Sequence, residues 1–243
     1  MPLDGKRIVL TGAASGIGKA TALRVAAEGA RVAMLDVNDD EGQRLAEAIG
    51  DQTRYWHANV ADEAAVKEVI GEAAEWLGGI DVLLHVAGVL DGANINLPAF
   101  SEETWDRVID INLKGSFLVA KHVAAVMEPN KQGVMVLTAS GAGVKGGSSS
   151  FAYGSSKGGV HGLAMVLEQR LAPLGIRVND VAPGNIDTPL KVAQVRETYE
   201  ITRDSDNFER TMSSLADPSG VAAVMAFLAS DDADYVRGTI FTR

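Results

Sequence analysis

The chain has no cysteine among its 243 residues, which excludes disulfides, thiolate nucleophiles and iron–sulfur ligation. Histidine is nearly as scarce. His57, His85, His122 and His161 are scattered without metal-ligand spacing and read as partly buried or surface residues. The acid pairs Asp204/Asp206 and Asp231/Asp232 lack calcium-loop spacing and read as solvated acidic loops, so no metal is expected. Trp56, Trp76 and Trp105 lie too far apart in sequence to form a stacking platform. Positive charge is also short. Twenty-two Lys and Arg face 32 Asp and Glu, a formal net charge of −10, which argues against nucleic-acid and anionic-membrane partners. No apolar run reaches membrane length and no leader pattern opens the chain, so the expected location is the cytoplasm. Repeats, low-complexity segments and linkers are absent.

What is present is an alternation. The 47% hydrophobic and 22% charged fractions are ordinary for a globular chain, and the length suits one domain over 1–243. Strands are expected at 7–10, 31–36, 53–57, within 80–87, and at 133–139, 176–181 and 238–241. Between them lie helical patterns after Gly18, at 38–49 with Asn38 as cap, at 62–77 with Gly78-Gly79 as stop, as one long helix at 101–127, from about 153 to 171, and at 218–229. Strands alternating with helices predict an α/β fold: a Rossmann-like, doubly wound parallel sheet of about seven strands with helices on both faces, and ligands at the C-terminal strand ends.

The first strand, glycine turn, helix and second strand form a βαβ unit. Its turn reads Thr11-Gly12-Ala13-Ala14-Ser15-Gly16-Ile17-Gly18, and an acid, Asp36, ends the second strand about twenty residues later. Gly12 permits the tight turn, Gly16 admits a pyrophosphate against the backbone, and Gly18 allows close helix–strand contact. The helix N-terminus offers free N–H groups to the phosphates. Asp36 is expected to accept from both ribose hydroxyls of NAD and to repel a 2′-phosphate. No nearby Lys or Arg is placed to neutralise that phosphate, so NAD is favoured over NADP.

A second constellation runs from Ser140 to Lys157. A strand delivers Ser140 to its end, a small-residue loop follows, and Tyr153 and Lys157 stand four apart on one helix face. A tyrosine titrating near 10 is too weak a base at neutral pH, and an adjacent ammonium favours the phenolate. Lowering the pKa by about two to three units takes about 3–4 kcal/mol of differential interaction. The Ser140 hydroxyl opposite is suited to hold a substrate oxygen.

These motifs resemble the short-chain dehydrogenase/reductase family over essentially the whole chain. The match rests on Thr11-Gly12-x-x-x-Gly16-x-Gly18, Asn112 within Ile111-Asn112-Leu113-Lys114-Gly115, Ser140, Tyr153-x-x-x-Lys157 and Pro183-Gly184-x-Ile186-x-Thr188, in the family's order and spacing. The resemblance implies hydride transfer between a secondary alcohol or ketone and a nicotinamide. Tyr153 would be the acid/base, Ser140 the holder of the substrate oxygen, Lys157 the group that lowers the Tyr153 pKa and binds the nicotinamide ribose, and Asn112 the holder of a water linking Lys157 to solvent. The cofactor-binding set it implies is Gly12, Ser15, Gly16, Ile17, Gly18, Asp36, Asn59, Val60, Ala87, Gly88, Tyr153, Lys157, Pro183, Gly184, Ile186 and Thr188, with Ile186 and Thr188 at the carboxamide. A 3-oxoacyl-thioester reductase or sugar dehydrogenase of the same family is the alternative. A nicotinamide-binding protein without turnover is a further one, which would need no acid/base set.

The sequence departs from the family pattern in places. His85-Val86-Ala87-Gly88 replaces the usual Asn-Asn-Ala-Gly, Asn59 replaces an adenine-contacting aspartate, and the chain ends at Thr242-Arg243 without a Val-Asp-Gly-Gly-like tail. The polar stretch 188–217 is the expected substrate lid. Family analogy further implies a homotetramer or homodimer through the long helices.

Overall fold

The computed structural model describes Met1–Arg243. Seven short apolar runs form seven strands: β1 (Arg7–Thr11), β2 (Arg31–Asp36), β3 (Thr53–His57), β4 (Val82–His85), β5 (Gly133–Thr138), β6 (Ile176–Ala182) and β7 (Gly238–Phe241). All pair in parallel, in the order β3-β2-β1-β4-β5-β6-β7. The strand order therefore reverses between β1 and β4, and the crevice beyond their C-terminal ends is where such sheets take ligands.

Two apolar layers flank the sheet because successive strand residues point to opposite faces. In β1, Val9 joins the layer against α3 (Glu63–Leu77), α5 (Gly115–Met127) and α7 (Phe151–Leu171). Its neighbours Ile8 and Leu10 join the layer against α1 (Gly16–Ala27), α2 (Asp39–Ile49) and α10 (Pro218–Ala229). Asn38 caps α2 by accepting from the Glu41 N–H at 3.2 Å, and Gly78 ends α3 in the left-handed region at φ 78°. No helix is long and apolar enough to cross a membrane.

The fourth strand falls within 80–87, as expected, and ends at His85, beyond which the Val86 and Ala87 N–H groups both turn toward the Thr11 hydroxyl, at 3.2 and 3.3 Å. Two segments differ from the sequence expectation. The long helix is not one regular element. It runs as α4 (Glu102–Ile109), a π-helical turn (Asp110–Lys114) and α5, and the π turn carries Asn112. The stretch 188–217 folds largely as a helical hairpin, α8 (Pro189–Thr202) and α9 (Ser205–Ser213), turned at Arg203 with φ 55°.

Candidate active site

A cavity of about 700 Å³ lies at the C-terminal strand ends and joins Asp36, the glycine turn, Tyr153 and Lys191 in one space. All the expected site residues line it except Gly18 and Asn112, which stand behind its walls.

The glycines act by leaving room. A Cβ on Gly12 would lie 2.7 Å from the Ala87 nitrogen, and one on Gly18 only 1.8 Å from the Gly12 carbonyl oxygen. The turn is thus clamped between β4 and α1 with no space for a side chain. Gly16, at φ +49°, would place a Cβ 3.0 Å from the Thr188 Cγ2, so the start of α8 overhangs the turn. Ser15 is the N-cap of α1 yet makes no side-chain cap bond, and no acid occupies the first turn. An exposed hydroxyl, free N–H groups and an uncompensated positive helix end therefore face the cavity, which suits a pyrophosphate.

Asp36 is more committed than expected. Its Oδ2 accepts from the Ala14 N–H at 2.9 Å, and its Oδ1 from the Val37 and Asn38 N–H groups at 2.8 and 3.0 Å. A carboxylate has about four acceptor positions. Only about one remains, on Oδ2, so two ribose hydroxyls cannot both be taken without displacing a backbone bond. The charge stays in place against a 2′-phosphate, and no Lys or Arg lines the cavity beside it. Asn59 also has local work: its Oδ1 accepts from the Ala61 N–H at 3.1 Å, while Val60 packs against Gly115. Together the cradle, the phosphate-facing helix end and the acid at β2 fit a nicotinamide dinucleotide.

The acid/base end is built on α7 and the end of β5. Ser150 caps α7, accepting from the Tyr153 N–H at 3.3 Å, so Tyr153 sits in the first turn. The Ser140 hydroxyl accepts from the Ala142 N–H at 3.2 Å and is near enough to the Tyr153 phenol to favour its ionised form. Lys157 is buried, donates to the Thr138 carbonyl at 2.7 Å and lies 5.8 Å from the centre of the Tyr153 ring. Burial pushes its ammonium down to about 8.

The expected lowering of the Tyr153 pKa is not found among the chain's own groups. Burial pushes the phenol up, the Ser140 hydroxyl pulls it partly back, and Lys157 makes no resolved contribution. The ammonium instead donates to the Thr138 carbonyl and lies 5.8 Å from the centre of the Tyr153 ring.

Asn112 is a brace. Its Nδ2 donates to the Val89 carbonyl at 2.9 Å and to Ser156 Oγ at 3.0 Å, and its Oδ1 accepts from the Val89 N–H at 2.8 Å. One side chain therefore fixes the loop after β4 against α7. A Cβ on Gly88 would meet both Asn112 Oδ1 at 3.2 Å and Lys157 Nζ at 3.3 Å, which shows how tightly these groups converge. Val86 packs against the apolar layer as expected. His85 is buried with Nδ1 2.8 Å from Thr11 Oγ1 and no partner for Nε2; burial, aided by Lys157, pushes its pKa down to about 3.

Several participants escaped the sequence reading. Thr138 acts through its main-chain carbonyl, which leaves no motif, and Thr11, first residue of the glycine motif, acts through a hydroxyl that gathers His85 and two N–H groups. Lys191 and Gln194 line the cavity from α8 and extend to a second, smaller cavity within the hairpin. Their signal was present as the basic residue three after Thr188.

The family model described as enoyl-(acyl carrier protein) reductase matches residues 12–242. A 3-oxoacyl-[acyl-carrier-protein] reductase of Thermotoga maritima is 38% identical, over 99% of this chain and 96% of that protein. The chain belongs to the short-chain dehydrogenase/reductase family. This short-chain dehydrogenase/reductase is also 35% identical to (+)-borneol dehydrogenase 1 of Salvia officinalis, over 97% of this chain and 91% of the relative. Among solved structures it is similar to levodione reductase, with a TM-score of 0.92, 31% identity, and 98% of this chain and 96% of that chain covered. Membership makes it an oxidoreductase that uses a nicotinamide cofactor.

Proposed function

We propose that the protein transfers hydride between a secondary alcohol or its ketone and the nicotinamide of NAD, with Tyr153 as the acid/base. The observation that carries this is that Ser140, Tyr153 and Lys157 line the same cavity as Asp36 and the glycine turn. Ser15 and the N–H groups at Gly16 and Ile17 would hold the pyrophosphate. Asp36 would hold an adenosine ribose hydroxyl through its free Oδ2 position and repel a 2′-phosphate by charge. Asn59 and Val60 would border the adenine, and Ile186 and Thr188 the carboxamide, with Ala87, Gly88, Pro183 and Gly184 as the remaining walls. The cofactor, when bound, supplies the hydride carrier.

The residues of the chain manage the oxygen and its proton. Ser140 orients the carbinol oxygen toward Tyr153. In oxidation the Tyr153 phenolate takes the hydroxyl proton, and in reduction the phenol returns it to the carbonyl oxygen. Lys157, buried and cationic below about pH 8, favours the phenolate once substrate and cofactor exclude water from the site. Asn112 keeps the Val89 loop and α7 in register while this happens, and we assign it the water that links Lys157 to solvent.

A 3-oxoacyl thioester, the substrate type in the name of the Thermotoga maritima relative, is the second reading, and the α8–α9 hairpin acting as a lid over 188–217 would decide between them. Exposed Phe117 on α5 and Met165 and Val166 on α7 favour association of these long helices into a homodimer or homotetramer, and a monomer by light scattering would refute it.

The test is NADH formation across secondary alcohols, sugars and hydroxyacyl thioesters, with NAD and NADP in parallel. Tyr153→Phe is expected to cut turnover by roughly 10²–10⁴-fold while NADH binding stays within twofold. Substantial activity in that variant would overturn the acid/base assignment.

A further inference from the structure

Lys191 breaks three rules at once. It is the third residue of α8, its own N–H bonded to the N-cap Thr188 Oγ1 at 3.2 Å, so a cation stands at the positive end of a helix. It is half-buried, and burial pushes its ammonium below the ordinary lysine value with no carboxylate to offset this. Its Nζ has a single partner, the Gln194 Oε1 at 2.9 Å. A cation held in this way raises the free energy of the free protein unless an anion joins it.

The surroundings point the same way. Three basic side chains line the cavity, Arg107, Lys157 and Lys191, against one acid, Asp36. Arg107 is paired with Asp91, and Lys157 is bound to the Thr138 carbonyl. Asp36 is at the end of β2. Lys157, which likewise has one partner, is buried, so Lys191 is the accessible cation of this cavity without an acid beside it, in a chain of net charge −10. It is also held in position. Gln194 Nε2 donates to Thr198 Oγ1 at 2.8 Å, Thr198 donates back to the Gln194 carbonyl at 2.9 Å, and Asn94 Nδ2 reaches Thr198 Oγ1 at 2.8 Å. This chain fixes the Gln194 amide, and with it the ammonium, while leaving two of three N–H donors free.

We propose that Lys191 anchors a carboxylate of the substrate, so that the protein acts on a hydroxy acid or oxo acid whose carbinol or carbonyl carbon lies at Tyr153. This rests on the hydride-transfer reading of the same cavity. One accessible ammonium without an arginine fork matches a single negative charge rather than a phosphate dianion. The competing source of negative charge is the cofactor's pyrophosphate, because the start of α8 overhangs Gly16.

Calorimetry on the full chain saturated with NADH separates the two, using butyrate and butyramide as unreactive probes. Butyrate is expected to bind at least tenfold more tightly than butyramide at low salt. Lys191→Met is expected to make the two equal, Lys191→Arg to restore most of the difference, and the NADH Kd to stay within twofold. Removing a half-buried cation that has no acidic partner is expected to leave the fold intact, and a melting temperature at or above the parent's checks this; Lys191→Gln is the second variant. Equal binding of the two probes to the parent protein would overturn the proposal. So would a tenfold rise in the NADH Kd of Lys191→Met, which would assign the cation to the pyrophosphate. Butyrate selectivity that persists while no oxo acid is reduced would sink the hydride-transfer reading and leave the carboxylate site standing.

Discussion

The two halves of the cavity are made of different material. At the nucleotide end the contacts are backbone: glycines without room for a Cβ, free helix N–H groups, and an aspartate whose carboxylate is already held by three N–H groups. At the substrate end they are side chains: the Ser140–Tyr153 pair, the Asn112 brace, and the Lys191–Gln194–Thr198–Asn94 chain across the hairpin. A site made of backbone tolerates no added atom but is indifferent to most side chains around it. A site made of side chains tolerates added atoms in its loops and changes its preference one residue at a time. One half can thus stay fixed for a common cofactor while the other varies with the substrate.

Substitutions at matched glycines are the sharpest way to break this contrast. Gly18→Ala places a Cβ 1.8 Å from the Gly12 carbonyl oxygen and is expected to remove NADH binding by more than 100-fold, read by fluorescence titration. Gly147→Ala in the loop before α7 meets nothing within 4 Å, and its effect on stability is expected to stay within about 0.5 kcal/mol in a denaturant titration. Comparable losses from both would erase the distinction.

Asp36→Asn tests the charge while keeping an acceptor. It is expected to weaken NAD binding about tenfold and to narrow the NAD-over-NADP preference by at least as much, one charge-assisted bond being worth about 1.5–3 kcal/mol. Unchanged discrimination in parallel titrations would place the reading of the 2′ position elsewhere.

His85 lies at the boundary between the halves, and its effect is smaller and depends on pH. Its folded pKa of about 3 is below the ordinary 6.5, so the unfolded chain binds the proton first as pH falls. The stability this group contributes is complete above about pH 6.5 and is lost progressively down to about pH 3. By pH 5 the loss is about 2 kcal/mol, and His85→Asn is expected to remove it, which urea titrations at pH 7.5 and pH 5 would show. Parallel pH dependences for parent and variant would contradict a buried neutral imidazole.

The same division explains what was legible in the residues. The parallel sheet, the two apolar layers and the glycine turn could be read because strand alternation and forbidden side chains leave periodic or invariant-spaced marks. Tyr153 and Lys157 were found by spacing, Ser140 by its place at a strand end and Asn112 by the family resemblance, and the structure brings Asn112 and Lys157 together around Gly88. The direction of the Tyr153 shift was not legible, since it turns on where one ammonium points, and Lys157 points at the Thr138 carbonyl. The commitment of Asp36 to three backbone donors was equally hidden, because main-chain partners have no letter in the sequence. Lys191 was visible but unremarked in a stretch read as a polar lid.

The π turn at Asp110–Lys114 holds one residue more than a regular helix would use over the same span. Each helical residue turns the chain by about 100°, so deleting one here would regularise the backbone and rotate α5 relative to α4 by that angle. Val119, Val123 and Met127, all now fully buried, would swing out of the layer they fill. The insertion is therefore an indel trap: point substitution can explore the exposed positions of this helix, but a change in its length would have to repack the layer it fills at the same step.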